Sequence, residues 1–120
     1  IKLSKTYGIS PILLVAPNTP GDRINNISKM AGDLLYCVSI LGITGSGGIN
    51  YKELNTYLKH VEKNSECPFI VGFGIKKRQD VVTINKIAHG AVIGSAIIQE
   101  ISKTDNPILT VEKYLEKLVK

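Results

Sequence analysis

Glycines gather at three places in this chain where main-chain groups could hold a phosphate. Gly42-Ile43-Thr44-Gly45 runs into Ser46-Gly47-Gly48, Gly72-Phe73-Gly74 closes a run of strand formers, and Gly94-Ser95-Ala96 follows a further apolar run. Glycine lets an anion approach until backbone N–H groups bond it directly. A helix starting just beyond the turn adds favourable partial charge. The segment "GSAIIQEI" is expected to open such a helix, with the N–H groups of Gly94 and Ser95 facing the anion. A phosphorylated small molecule is the ligand class these features favour, and the net charge of +5 favours it too.

Side chains able to move protons are placed differently. The carboxylates of Asp22, Glu53, Glu62, Glu66, Asp80, Glu100, Asp105, Glu112 and Glu116 fall in segments read as helices or loops, and Asp33 precedes a strand. None is expected at the carboxyl end of a strand, where a general acid or base would work. Cys37 and Cys67 lie in apolar runs and read as buried, reduced thiols. No CxxC pair or histidine cluster suggests a metal. His60 and His89 read as surface or boundary residues. Tyr36 and Thr44 are the polar groups left near the expected mouth, with Phe73 as an apolar wall. The chain is expected to carry a binding surface without its proton-transfer groups.

Other classes are disfavoured. The lysines are spread along helical segments instead of forming a basic stripe with aromatics, so nucleic acid is not an expected partner. Lys76, Lys77 and Arg78 read as a solvated run, because cations at a helix N-terminus oppose its dipole. No apolar run is long enough to span a bilayer and nothing reads as a signal peptide, so a soluble, cytoplasmic chain without membrane contact is expected. Ile1 opens the chain and Met30 is its only methionine, so the natural start is expected to be missing or removed.

The elements that would position these residues alternate regularly. "PILLVAP", Pro11 to Pro17, is a short continuous apolar run of the kind buried on both faces. Thr19 is expected to cap a helix from near Pro20, with Ile24, Ile27 and Ala31 at helical spacing. "DLLYCVSIL", Asp33 to Leu41, is a second strand, and "YKELNTYLKHVEKN" a helix with Leu54, Leu58 and Val61 on one face. "CPFIVGFG" is a third strand, followed by a helix carrying Val81, Val82, Ile84 and Ile87. "GAVIGSAII", Gly90 to Ile98, is a fourth strand. Pro107 closes a loop before a last helix with Val111, Leu115 and Leu118, and "IKLSKTYG" looks like a helix tail ending at Gly8. Helical crossovers make all four strands parallel. Four such units suit a small open α/β domain or half of an eight-stranded barrel, and periodicity does not choose between them.

Four blocks in order, "PILLVAPNTPGDRI", "YCVSILGITG", "PFIVGFGI" and "GAVIGSAII", closely resemble the C-terminal half of the tryptophan synthase alpha chain, from about Tyr7 to about Ile101. The resemblance implies an α/β fold, the C-terminal half of a (β/α)8 TIM barrel. Residues 1–120 would supply about strands five to eight as one partial domain. It implies a retro-aldol lyase without cofactor that cleaves indole-3-glycerol phosphate to indole and glyceraldehyde 3-phosphate and passes indole to a beta chain.

On that resemblance Tyr36 lies near the catalytic centre and Thr44 belongs to a mobile loop over the substrate. Gly45, Gly74, Gly94 and Ser95 hold the phosphate, and Gly72 and Phe73 form the rim beside the substrate. The family's catalytic Glu and Asp come from the second strand and the loop after it, so this chain is expected to be inactive alone. The family usually has a charged residue shortly after Thr-Gly, where this chain has Ser46-Gly47-Gly48-Ile49. Ile40 and Leu41 replace a basic and a small polar residue. Two other readings are a phosphate-binding half-barrel without catalysis, alone or self-associated, and a remnant kept for contact with a protein partner.

Overall fold

The computed structural model describes residues 1–39, 49–72 and 74–120. It contains the elements α1 (Lys2–Thr6), β1 (Leu13–Val15), α2 (Gly21–Ala31), β2 (Leu35–Val38), α3 (Tyr51–Asn64), β3 (Phe69–Gly72), α4 (Arg78–Ile84), β4 (Gly90–Val92), α5 (Ser95–Ile101) and α6 (Pro107–Val119). The strands form one sheet in the order β1-β2-β3-β4, and every neighbouring pair is parallel. A crossover helix between successive strands leaves them no other direction. The result is half of a (β/α) barrel, as expected.

Pairing register assigns the faces. Val15 pairs with Cys37, Cys37 with Val71 and Val71 with Ala91. Val15, Cys37 and Val71 pack into the buried cluster with Ile24, Leu54, Leu58, Val61 and Ile84 from the helices. Leu14, Tyr36, Ile70 and Gly90 pair in a second row, on the opposite, concave face. That face is only partly covered. β2 and β3 alternate buried and half-buried residues, and Leu14 is 60% exposed. Burial of the first strand on both faces is thus not what forms, because the helices cover one side and four strands cannot close over the other.

Local chemistry explains the helix ends. Asn50 accepts the Glu53 N–H at 3.3 Å to cap α3, and Asn106 accepts the Leu109 N–H at 3.3 Å to cap α6. Pro107 opens α6 instead of closing the loop before it. Thr19 caps nothing. Its hydroxyl accepts the Ala16 N–H at 2.9 Å within the β1–α2 connection, and Pro20 occupies the cap position. The fourth strand stops at Val92 and the chain turns helical at Ser95, so Ala96, Ile97 and Ile98 are helical. α4 ends at Ile84, leaving Ile87 in the turn that follows.

Candidate functional site

The sheet register gathers the predicted rim. Gly72 pairs with Val92, so Gly74 and Gly94 each stand two residues beyond a paired position on adjacent strands, at their carboxyl ends. Gly74 has φ of 64°, a left-handed conformation that favours glycine, and open space where a Cβ would point. Gly94 precedes α5 at its N-cap with open space around it, and Ser95 is the first helical residue. Both are exposed. Thr44, Gly45 and Phe73 lie outside the described residues.

Gly72 is required for a second reason. A Cβ there would collide with the Tyr36 hydroxyl and approach the ring carbon that bears it to 2.9 Å. Tyr36 lies on β2 diagonally across from Gly72, within the reach of an aromatic side chain. The bare last residue of β3 therefore makes room for Tyr36 on the concave face. Glycine spacing and the lone strand tyrosine were both legible in the sequence; their direct contact was not.

Three residues not singled out for the site hold the segment after Gly74. The Tyr51 hydroxyl, at the start of α3, donates to Asp80 Oδ1 at 2.7 Å. Asp80 Oδ2 accepts the N–H groups of Lys76 and Lys77 at 3.2 and 3.1 Å. The Tyr114 hydroxyl, from α6, donates to the Lys76 carbonyl at 2.9 Å. Ile75 between them is fully buried. Partial burial would raise the Asp80 carboxyl, but the Tyr51 hydroxyl, the two N–H groups and the Lys77 charge outweigh it and hold the carboxyl below its ordinary value. Tyr51 is pushed up to about 12 by burial, then by the hydrogen bond to Asp80 and its charge. An acid three residues after Lys77 is a sequence signal for a helix start. The tyrosine partners, 29 and 38 positions away, leave no local signal.

Other reactive side chains are placed for structure. All ten carboxylates lie among the described residues and none is on a strand. Asp80, which holds the segment after Gly74, has both oxygens engaged. Cys37 and Cys67 are buried and unbridged, as expected, and burial pushes the Cys37 thiol up to about 12, far from a reactive thiolate. His89 accepts the Phe69 N–H at 3.4 Å and stands edge-on to that ring with centroids 5.0 Å apart, at the amino end of β4. The exposed His60 lies 3.3 Å from the Thr19 carbonyl. Among the described residues no three of His, Cys, Asp and Glu could hold a metal ion, and no helix is long and apolar enough to cross a membrane.

The family model for the tryptophan synthase alpha chain matches residues 1–120. The chain belongs to the tryptophan synthase alpha chain family. A family member from Methanocaldococcus jannaschii is 43% identical over 99 residues, covering 82% of this chain and 35% of that protein. One from a Geobacillus strain is 41% identical over 117 residues, covering 98% and 44%. A solved mutant tryptophan synthase alpha-subunit from the hyperthermophile Pyrococcus furiosus superposes with TM-score 0.84 at 31% identity, over 98% of this chain and 48% of that one. A structure of the tryptophan synthase a2b2 complex from the same organism superposes with TM-score 0.82 at 29% identity, over 98% and 47%. The chain thus spans less than half the length of the relatives it matches.

Proposed function

We propose that this chain is the substrate-holding half of a tryptophan synthase alpha chain, corresponding to about strands five to eight of its barrel. The parent reaction on this reading is retro-aldol cleavage of indole-3-glycerol phosphate to indole and glyceraldehyde 3-phosphate, with indole passing to a beta chain. The observation that carries it is the family match over the full 120 residues. The rim at the carboxyl ends of β3 and β4 supports it from chemistry.

The phosphate is held by backbone at Gly74 and at Gly94 with Ser95, where open space meets main-chain N–H groups. Gly45 joins them on the strength of the family resemblance. Tyr36, seated over Gly72, contacts the rest of the substrate. Phe73 and Thr44 are assigned to the rim and the covering loop on the family resemblance alone.

Cleavage breaks the bond between the indole ring and the glycerol phosphate side chain. One group takes the proton from the side-chain hydroxyl, and another delivers a proton to the ring carbon. This chain has no carboxylate on a strand to do either. The catalytic Glu and Asp come from the other half of the barrel, and this chain alone is inactive. The test is indole release from indole-3-glycerol phosphate, by the chain alone and after mixing with the amino-terminal half of a relative. Release only in the mixture is expected; turnover by the chain alone would overturn the division of labour.

A further inference from the structure

Residues 74–77, ahead of α4, are held by more contacts than a short surface turn requires. Gly74 faces open space, yet each of the three residues after it is tied down. The Ile75 side chain is buried in the core. The Lys76 N–H and the Lys77 N–H bond Asp80, and the Lys76 carbonyl accepts the Tyr114 hydroxyl. Asp80 is itself oriented by the Tyr51 hydroxyl. Two tyrosines from α3 and α6, remote in sequence, thus converge on one four-residue segment. A backbone that must present N–H groups at a fixed angle needs such support, because each lost restraint has to be recovered as ordering cost when ligand binds.

We infer that Tyr51, acting through Asp80, and Tyr114, acting on Lys76, are positioning residues that pre-set the Gly74 turn to receive the phosphate of the substrate. The inference rests on the phosphate reading of the rim proposed above. Neither tyrosine needs to touch the ligand. Tyr114 is the cleaner probe, since its hydrogen bond is exposed and its loss leaves the core intact.

The test uses the 120-residue chain, isotopically labelled, with glycerol 3-phosphate and inorganic phosphate as probes. Hydrogen exchange of the Lys76 and Lys77 amides is measured without ligand. Amide shifts at Gly74, Gly94 and Ser95 then give affinity for each probe. Tyr114→Phe and Tyr51→Phe should each speed exchange at Lys76 and Lys77 and weaken both probes by about fivefold, the value of one hydrogen bond. The thermal midpoint of Tyr114→Phe should stay close to the parent's. Tyr57→Phe, which removes a buried bond to the Val15 carbonyl, serves as control: it should lower the midpoint and leave probe affinity unchanged.

If the parent binds a probe and the tyrosine variants bind it equally well, the positioning role is wrong and the phosphate site stands. Should the parent show no shifts at Gly74, Gly94 or Ser95 with either probe, the phosphate reading fails and takes this role with it. Equal affinity loss in Tyr57→Phe would reduce the effect to general destabilisation and also overturn the inference.

Discussion

Two contacts at single residues make sharp predictions. Gly72 is bare because Tyr36 occupies its space, so Gly72→Ala should destabilise the chain by about 1–3 kcal/mol as the ring is forced aside. In a Tyr36→Ala background the same change should be nearly neutral. A thermodynamic cycle from denaturant unfolding checks this, and additive effects would show that the two residues do not meet.

The Tyr51–Asp80 hydrogen bond should set a pH window. The Asp80 carboxyl is depressed in the fold, so its contribution is present above its ordinary value of 3.8 and is lost as pH falls below it. Tyr51 is raised from 10.0 to about 12, so its contribution is present below pH 10 and disappears as pH climbs through that interval. Thermal midpoints of the parent and Tyr51→Phe should differ most between these limits and converge outside them. A difference that does not change with pH would contradict the assignment. The glycines and Tyr36 were legible because residue type and position after a strand run already imply bare backbone or a polar tip. Tyr51 and Tyr114 were not, because a hydroxyl that reaches across 29 or 38 positions is fixed only by the finished packing.

At the level of elements, the crossover helices hold the sheet by one buried face. Leu54, Tyr57, Leu58 and Val61 from α3 are all buried, and Leu58 is wholly inaccessible. Leu58→Ala should cost about 2–5 kcal/mol of stability by opening a cavity against the sheet. A denaturant midpoint that barely moves would mean α3 is not docked as described. This face was readable in advance, since apolar residues at spacings of three and four need no partner to be recognised. The strand ends were less so. In "GAVIGSAII" an unbroken apolar run hides the change from β4 to α5, because Ala and Ile serve a strand and a short helix alike. Only Gly94 marks the break. Thr19 looked like a cap by type, yet its hydroxyl found the Ala16 N–H first.

The whole molecule is an open half. Its radius of gyration is 16.0 Å, against about 14 Å for a compact domain of this length. Exposed apolar side chains collect at the two ends of the strand order. Leu3, Tyr7, Ile9, Ile12 and Leu14 lie on the β1 side, and Ile98, Ile108 and Val119 lie on α5 and α6. Both outer strands are free of charged residues that would discourage pairing. The isolated chain should therefore self-associate through these two ends while its buried helix-on-sheet core stays folded. Sedimentation of a monomer that does not change with concentration would argue against this. The missing closure could not be read from periodicity, because a run such as "PILLVAP" looks the same whether its second face meets another strand or water.

The central claim is that this chain carries the handle for a phosphorylated indole substrate and lacks the groups that cut it. A titration of the isotopically labelled chain with indole-3-glycerol phosphate reports both halves of the claim in one spectrum. Amide shifts at Gly74, Gly94 and Ser95 register binding, and the ligand's own signals register cleavage. The account predicts saturable shifts at those three amides with the ligand remaining whole. Conversion of the ligand to free indole, or a spectrum unmoved at saturating ligand, would contradict it.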